Sequence, residues 1–190
     1  GGLPQGHVYT GCSEEPDDVN PFTSNSNAAR RMVLAYTHEA LLDLDPRSGA
    51  LRPALAETYE PAADGRSCLF TLRRGVCFAD GAPVTMDDVL FGYELHQAGK
   101  LSFGFVGSAF ARVARVEVLD ERRFRVHFRG LHYASVRIVG EVWVVAQKRF
   151  FVEAVRRQLA PGEALPEVSS DRFAQLLGRI DRECGPGTGP

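Results

Sequence analysis

Apolar and polar positions along this chain change period several times, and each change marks an element. Leu69, Thr71 and Arg73 alternate with Phe70, Leu72 and Arg74, mixing apolar and polar residues at a strand period. Gly75 then supplies a turn before a second short strand at 76–78, and Asp80-Gly81 is a further turn signal. Pro83 leads to Thr85, a good N-cap, with Asp88 three residues on, close to a capping box. Asp87 and Asp88 suit the positive end of the helix that this start predicts, which runs to about Gln97 with Gly99 as its stop. Its Val89, Leu90, Phe91, Tyr93 and Leu95 form a broad apolar stripe, suited to packing between a sheet and another helix.

The same reading extends to the rest of the chain. Residues 7–12 read as an opening strand. Asn27 can cap a helix over 28–41, whose Met32, Val33, Tyr36 and Ala40 fall near one face. Asp45-Pro46 and Ser48-Gly49 make a turn, so 41–44 and 50–52 can pair as a small hairpin. Residues 113–119 and 123–128 form the clearest hairpin, joined near Asp120-Glu121. The tail carries two helical patterns, about 147–159 and 171–182, separated by Pro161-Gly162 and Pro166. No internal repeat or low-complexity tract appears. Strands and helices intermixed at this spacing point to an α/β or mixed α+β fold and not to a helical bundle.

Composition narrows the function classes. A length of 190 residues suits one domain, with 44% hydrophobic and 24% charged residues and a formal net charge of -2. Only Lys100 and Lys148 among the 22 basic residues are lysine. In 122–129 the arginines alternate with Phe124, Val126 and Phe128, which reads as the solvated face of a half-buried strand. With no basic excess, nucleic acid is not an expected partner. No run approaches the ~20 apolar residues of a membrane-spanning helix, and Gly1-Gly2-Leu3-Pro4 does not read as a leader. Cys12, Cys68, Cys77 and Cys184 lack CxxC spacing. Zinc is therefore not expected, and one disulfide or buried free thiols both fit, with three pairings open.

Catalytic signatures are sparse. Glu14, Glu15, Asp17 and Asp18 form the densest acidic cluster, in a Pro16-containing loop with no nearby His or Ser to complete a nucleophilic set. A solvated acidic loop is the alternative reading. His7, His38, His96, His127 and His132 show neither HxH nor HExxH spacing, so no metal site is expected. His38 and His96 fall on helices and His127 on the polar face of its strand. The glycines of 103–107 lack the GK[ST] of a phosphate loop, and no cofactor is expected. Phe103, Phe105 and Phe110 can wall a ligand or pack a core. The expectation is a non-enzyme.

Five segments, in order, resemble one family. They are Glu15-Pro16-Asp17-Asp18-Val19-Asn20-Pro21, Tyr36-Thr37-His38-Glu39-Ala40-Leu41-Leu42, Pro53-Ala54-Leu55-Ala56-Glu57, the run FTLRRGVCFADGAPVTMDDV over 70–89, and Gly187-Thr188-Gly189-Pro190. Together they are similar to the family 5 extracellular solute-binding proteins, the peptide-, dipeptide- and nickel-binding receptors of ABC importers. The resemblance implies a periplasmic-binding-protein-like type II lobe, incomplete at this length, in which 1–27 and 141–190 belong to the main lobe and 28–140 to a peripheral subdomain. It further implies capture of a peptide or other small solute, delivery to an ABC permease, export to the periplasm or cell surface, a monomer, and a second lobe outside this sequence. The ligand candidates that follow are Glu14, Glu15 and Pro16, with Glu15 a partner for a ligand amine, Phe103 and Phe105 as an apolar wall, and Trp143. Trp143 stands where the family's chain returns to the main lobe, and a cleft position and a core position both fit it. A ligand-sensing module of a larger regulator is the alternative function.

Overall fold

The computed structural model describes residues 38–98, 110–131 and 134–180. Strands β1 (Leu42–Leu44) and β2 (Leu51–Pro53) pair antiparallel, as the turn residues predict. Asp45 Oδ1 accepts the Arg47 and Ser48 N–H groups at 2.9 and 3.0 Å, and Gly49 takes φ 69°. Strands β3 (Ala56–Pro61), β4 (Ser67–Leu72), β5 (Val113–Val118) and β6 (Arg123–Phe128) form an antiparallel sheet in the order β3-β4-β6-β5. Helices α1 (Met86–Gln97), α2 (Ser135–Val142), α3 (Lys148–Arg157) and α4 (Asp171–Leu177) complete the described elements. The described sheets are wholly antiparallel, which puts the mixture on the α+β side of the expectation.

The alternation read from the sequence places the sheet core. Phe124, Val126 and Phe128 of β6 turn inward, and Phe70 of β4 stacks on its cross-strand partner Phe124 at 5.5 Å between ring centroids. At the β5–β6 turn, Asp120 accepts the Arg122 and Arg123 N–H groups, which draws its carboxyl pKa down to about 2.

Three expectations are corrected. The second strand at 76–78 is only a single bridge, Cys77 to Pro83, because the Asp80-Gly81 turn follows too closely for more pairs. The described end of the predicted 28–41 helix, 38–41, is not helical. There the Ala40 carbonyl accepts the Leu55 N–H, and the Leu41 carbonyl accepts those of Ala54 and Ala56. Helix α2 was not predicted, since its Val- and Ile-rich sequence has strand character. It packs on β1 through Gly140, where a Cβ would lie 2.6 Å from the Leu42 side chain. His38 is accordingly off-helix, whereas His96 lies on α1 and His127 on β6.

Two hydrophobic cores share one partition. The first holds the sheet residues with Met86, Val89, Trp143 and Val145, and the second holds Phe91, Leu95, Val144 and Ala146 with α3 and α4. The partition is α1 and the extended residues 143–146, whose side chains alternate between the two cores at strand period. The two elements are pressed together at Gly92. A Cβ there would meet the Val144 carbonyl oxygen at 2.2 Å. Trp143 Nε1 donates to the Val89 carbonyl at 3.2 Å, which satisfies an indole that is otherwise fully buried among Tyr93, Phe110 and Phe124.

Asp88, buried beside this contact, serves two helix starts. Its Oδ2 accepts the Thr85 backbone N–H at 2.9 Å and the Thr85 hydroxyl at 2.6 Å, while Oδ1 accepts the Lys148 N–H at the first turn of α3, also at 2.9 Å. Near the other end of α1, His96 is buried and stacked on Phe110 at 4.2 Å. Burial holds it neutral and pushes its pKa down to about 3.

These contacts set three expected outcomes. Gly92→Ala, which in an open helix gains about 1 kcal/mol, should here lose ~1–3 kcal/mol in urea denaturation because the helix must move off Val144; a stabilised variant would contradict the close approach. Asp88→Ala should cost about 2–3 kcal/mol, since two helix-start N–H groups lose a charged acceptor. A loss below about 0.5 kcal/mol would show that solvent replaces it. His96 binds a proton in the unfolded chain below about pH 6.5 but not in the folded chain until about pH 3. Stability should therefore fall as pH drops through that window, by up to ~1.4 kcal/mol per unit. Asp120 and other carboxylates act in the same sense, so His96→Phe, which keeps the ring stack, isolates the effect. The stability difference between the two proteins should change with pH below 6.5, and a constant difference would refute it.

Candidate functional site

The partition ends at a pocket of about 360 Å3. Its wall is built from three distant segments, with His38 and Glu39 before β1, Phe78 and Ala79 in the turn after Cys77, and Val145, Ala146 and Gln147 ahead of α3; Leu55, Val84 and Phe151 add apolar surface. A neighbouring depression of about 570 Å3 shares His38 and Glu39 and adds Asp43 and Glu141. The pocket is thus lined mainly by apolar side chains, with the Glu39 carboxylate, the His38 imidazole and the Gln147 amide among its polar groups.

Local hydrogen bonds hold this wall in place. Asp80 Oδ1 caps its own turn by accepting the Ala82 N–H at 3.0 Å, and its Oδ2 accepts Gln147 Nε2 at 2.9 Å. The Gln147 amide, then the Ala82 N–H, and Arg149 more weakly, keep the Asp80 carboxyl below its ordinary pKa. Asp88 fixes the next residue, Lys148, through its N–H, and Lys148 Nζ reaches Asp87 at 3.4 Å. The turn and helix start of the 70–89 run therefore grip both sides of Gln147.

A larger groove of about 710 Å3 lies along the Arg73–Gly75 turn and the start of α1. Two of its three arginines hold the chain: Arg73 Nε donates to the Ala54 carbonyl at 3.1 Å, and Arg122 donates to the Leu72 carbonyl and pairs with Glu57 at 2.5 Å.

The predicted ligand residues separate. Glu14, Glu15 and Pro16, with Phe103 and Phe105, lie outside the described residues, as do His7, His132, Cys12 and Cys184. Trp143 takes the core position: it is fully buried, with its one N–H donor satisfied within the chain, and presents no surface to a ligand. Cys68 and Cys77 are both free thiols. Cys68 is buried in β4, where burial raises its pKa to about 12, and Cys77 is exposed in the turn. His127 Nε2 lies 2.7 Å from Glu117 on the sheet surface, while His96 is sealed in the core. No cluster of His, Cys, Asp and Glu able to hold a metal occurs among the described residues.

Sequence reasoning missed Glu39, Phe78 and Gln147 as pocket residues, because nothing local joins segments that lie some 40 and 70 positions apart. Gly92 did carry a signal. A glycine inside an otherwise strong helical pattern marks a close approach.

The sequence and the fold find counterparts in known proteins. At 35% identity over 77 residues the chain is similar to the "Probable ABC transporter-binding protein" of Deinococcus radiodurans, with 40% of this chain and 13% of that protein aligned. It is 34% identical over 95 residues to the "Peptide transport periplasmic protein SapA" of Salmonella typhimurium, covering 47% of this chain and 17% of that protein. Among solved structures, the unliganded open form of the periplasmic murein tripeptide binding protein MppA superposes with a TM-score of 0.63 at 22% identity, over 75% of this chain and 30% of that one. The chain therefore spans roughly a seventh of the length of these sequence relatives and under a third of the solved structure. The profile of bacterial extracellular solute-binding proteins, family 5 Middle, matches residues 50–153, more than half of the chain, and the chain belongs to that family.

Proposed function

We propose that this chain is part of a receptor that captures a small solute, an oligopeptide or dipeptide, in a cleft and hands it to an ABC permease, with no chemical step of its own. The family match over residues 50–153 carries this reading. The peptide-transport name of the Salmonella typhimurium relative supports the ligand class. A peptide-bound solved neighbour with the same fold, DppA from Helicobacter pylori in complex with the peptide STSA, supports it further. The reading includes an exported monomer that acts in the periplasm or as a surface lipoprotein and has no nucleic-acid partner. No helix among the described residues is long and apolar enough to cross a membrane.

Within that receptor, 1–27 and 141–190 form part of the main lobe and 28–140 the peripheral subdomain. Glu14, Glu15 and Pro16 contact the ligand, Glu15 through a charge-assisted hydrogen bond to its amine, and Phe103 and Phe105 supply apolar wall. Enclosure between two lobes provides most of the binding energy, because desolvation of the ligand requires both walls.

Calorimetric titration of di- and oligopeptides tests the proposal. A receptor of full family length carrying this chain should bind peptide and return it chemically intact, and the 190-residue chain alone should bind at least about 100-fold more weakly. Cleaved peptide, or no peptide binding by the full-length receptor, would overturn the function. Equal binding by the isolated chain would overturn the two-lobe requirement.

A further inference from the structure

Two adjoining cavities differ in kind and meet at His38 and Glu39, which line both. The smaller, about 360 Å3, is walled by the buried Leu55 and the half-buried Phe78, Val84 and Phe151. Ligand pockets of roughly 300–1,000 Å3 are mostly apolar with a few placed polar groups, and this one stands at the small end of that range. The other, about 570 Å3, adds the carboxylates of Asp43 and Glu141 to that of Glu39.

Charge and rigidity narrow what the pair can hold. Arg52 pairs with Asp43 at 2.5 Å and Arg137 with Glu141 at 3.3 Å, so these three carboxylates meet two guanidinium groups. Glu39, at the junction of the cavities, is exposed. The apolar wall is held by main-chain and side-chain bonds. The Leu55 N–H donates to the Ala40 carbonyl at 3.1 Å, the Phe78 N–H to the Ala82 carbonyl at 2.8 Å, and Gln147 Nε2 to Asp80 at 2.9 Å. A wall already in place loses little conformational freedom when a ligand binds.

We propose that this junction binds a small amine in its ammonium form, with an aromatic or branched aliphatic body. The body packs against Leu55, Phe78 and Phe151, and the ammonium donates to the Glu39 carboxylate where the pocket meets the acidic depression. An anion of the same shape is repelled by Glu39, which gives the site its selectivity. The inference does not rest on the peptide-receptor reading, because every group it uses lies in the described fold. A free amine and the N-terminal residue of a peptide both present this chemistry. In the second case Glu39, and not Glu15, takes the peptide's amine.

Equilibrium dialysis of phenethylamine against a receptor of full family length carrying this chain tests it. Phenethylamine should bind saturably, and 3-phenylpropionate, of similar shape and opposite charge, at least ~10-fold more weakly. Glu39→Gln should weaken the amine about 5-fold. Ala79→Phe, which fills the pocket from an exposed turn position, should abolish saturable binding. Both positions are exposed, so the thermal midpoint of each variant should stay near that of the parent. Excess of a peptide with phenylalanine at its N terminus displaces the probe if the ammonium is the peptide's and leaves it bound if the ligand is a free amine. No saturable binding, equal binding of 3-phenylpropionate, or amine binding that either substitution leaves unchanged would overturn the proposal. Loss of peptide binding alone would overturn only the peptide reading.

Discussion

The contact between α1 and the extended residues 143–147 is the constraint on which the described structure rests. It puts a helix backbone against the backbone of that segment, which is possible only because Gly92 has no side chain to meet the Val144 carbonyl. From that contact the two cores are divided, with Val89 and Trp143 on one side and Phe91 and Val144 on the other. Asp88 adds direction to the contact. A buried carboxylate with three donors around it loses the desolvation penalty that would otherwise expel it, and two of those donors are the backbone N–H groups of Thr85 and Lys148. The starts of α1 and α3 are thereby tied to one atom group.

This gives the 70–89 run a role that local reading does not supply. Its Thr85, Asp87 and Asp88 are good helix-start residues on general grounds. In the fold, however, Asp80 holds the Gln147 side chain, Asp87 meets the Lys148 ammonium, and Asp88 holds the Lys148 backbone. The run that most clearly resembles the solute-binding family is thus the part that anchors Gln147 and Lys148 at the rim of a pocket. Its contribution to the fold is positional, fixing Gln147 and Lys148.

Legibility from sequence followed the range of the forces involved. The β1–β2 and β5–β6 hairpins, the Gly75 and Gly81 turns, and α1, α3 and α4 were readable because alternation, capping and turn chemistry act within a few residues. Helix α2 was not, since its β-branched residues favour a strand, whereas in the fold it packs on β1 with Gly140 against Leu42 and Val139 buried. Strand β3 escaped notice because it is an edge strand with mostly exposed side chains, AETYEP, and lacks a strong alternation. The ring of Trp143 could have lined a cleft or a core by composition alone. Its single N–H donor and the Val89 carbonyl settle the core position.

By itself, then, the sequence determined the family, the mixed fold class and most of the short-range elements, because those depend on periodicity and on residues a few positions apart. Tertiary structure alone decided that Asp88 serves two helices, that Gly92 is a contact point, that 143–146 divides two cores, and that Glu39, Phe78 and Gln147 meet at one pocket. Each of these joins groups roughly 40 to 110 positions apart, where the deciding terms are close packing and the pairing of buried polar groups, and neither leaves a local pattern in the chain.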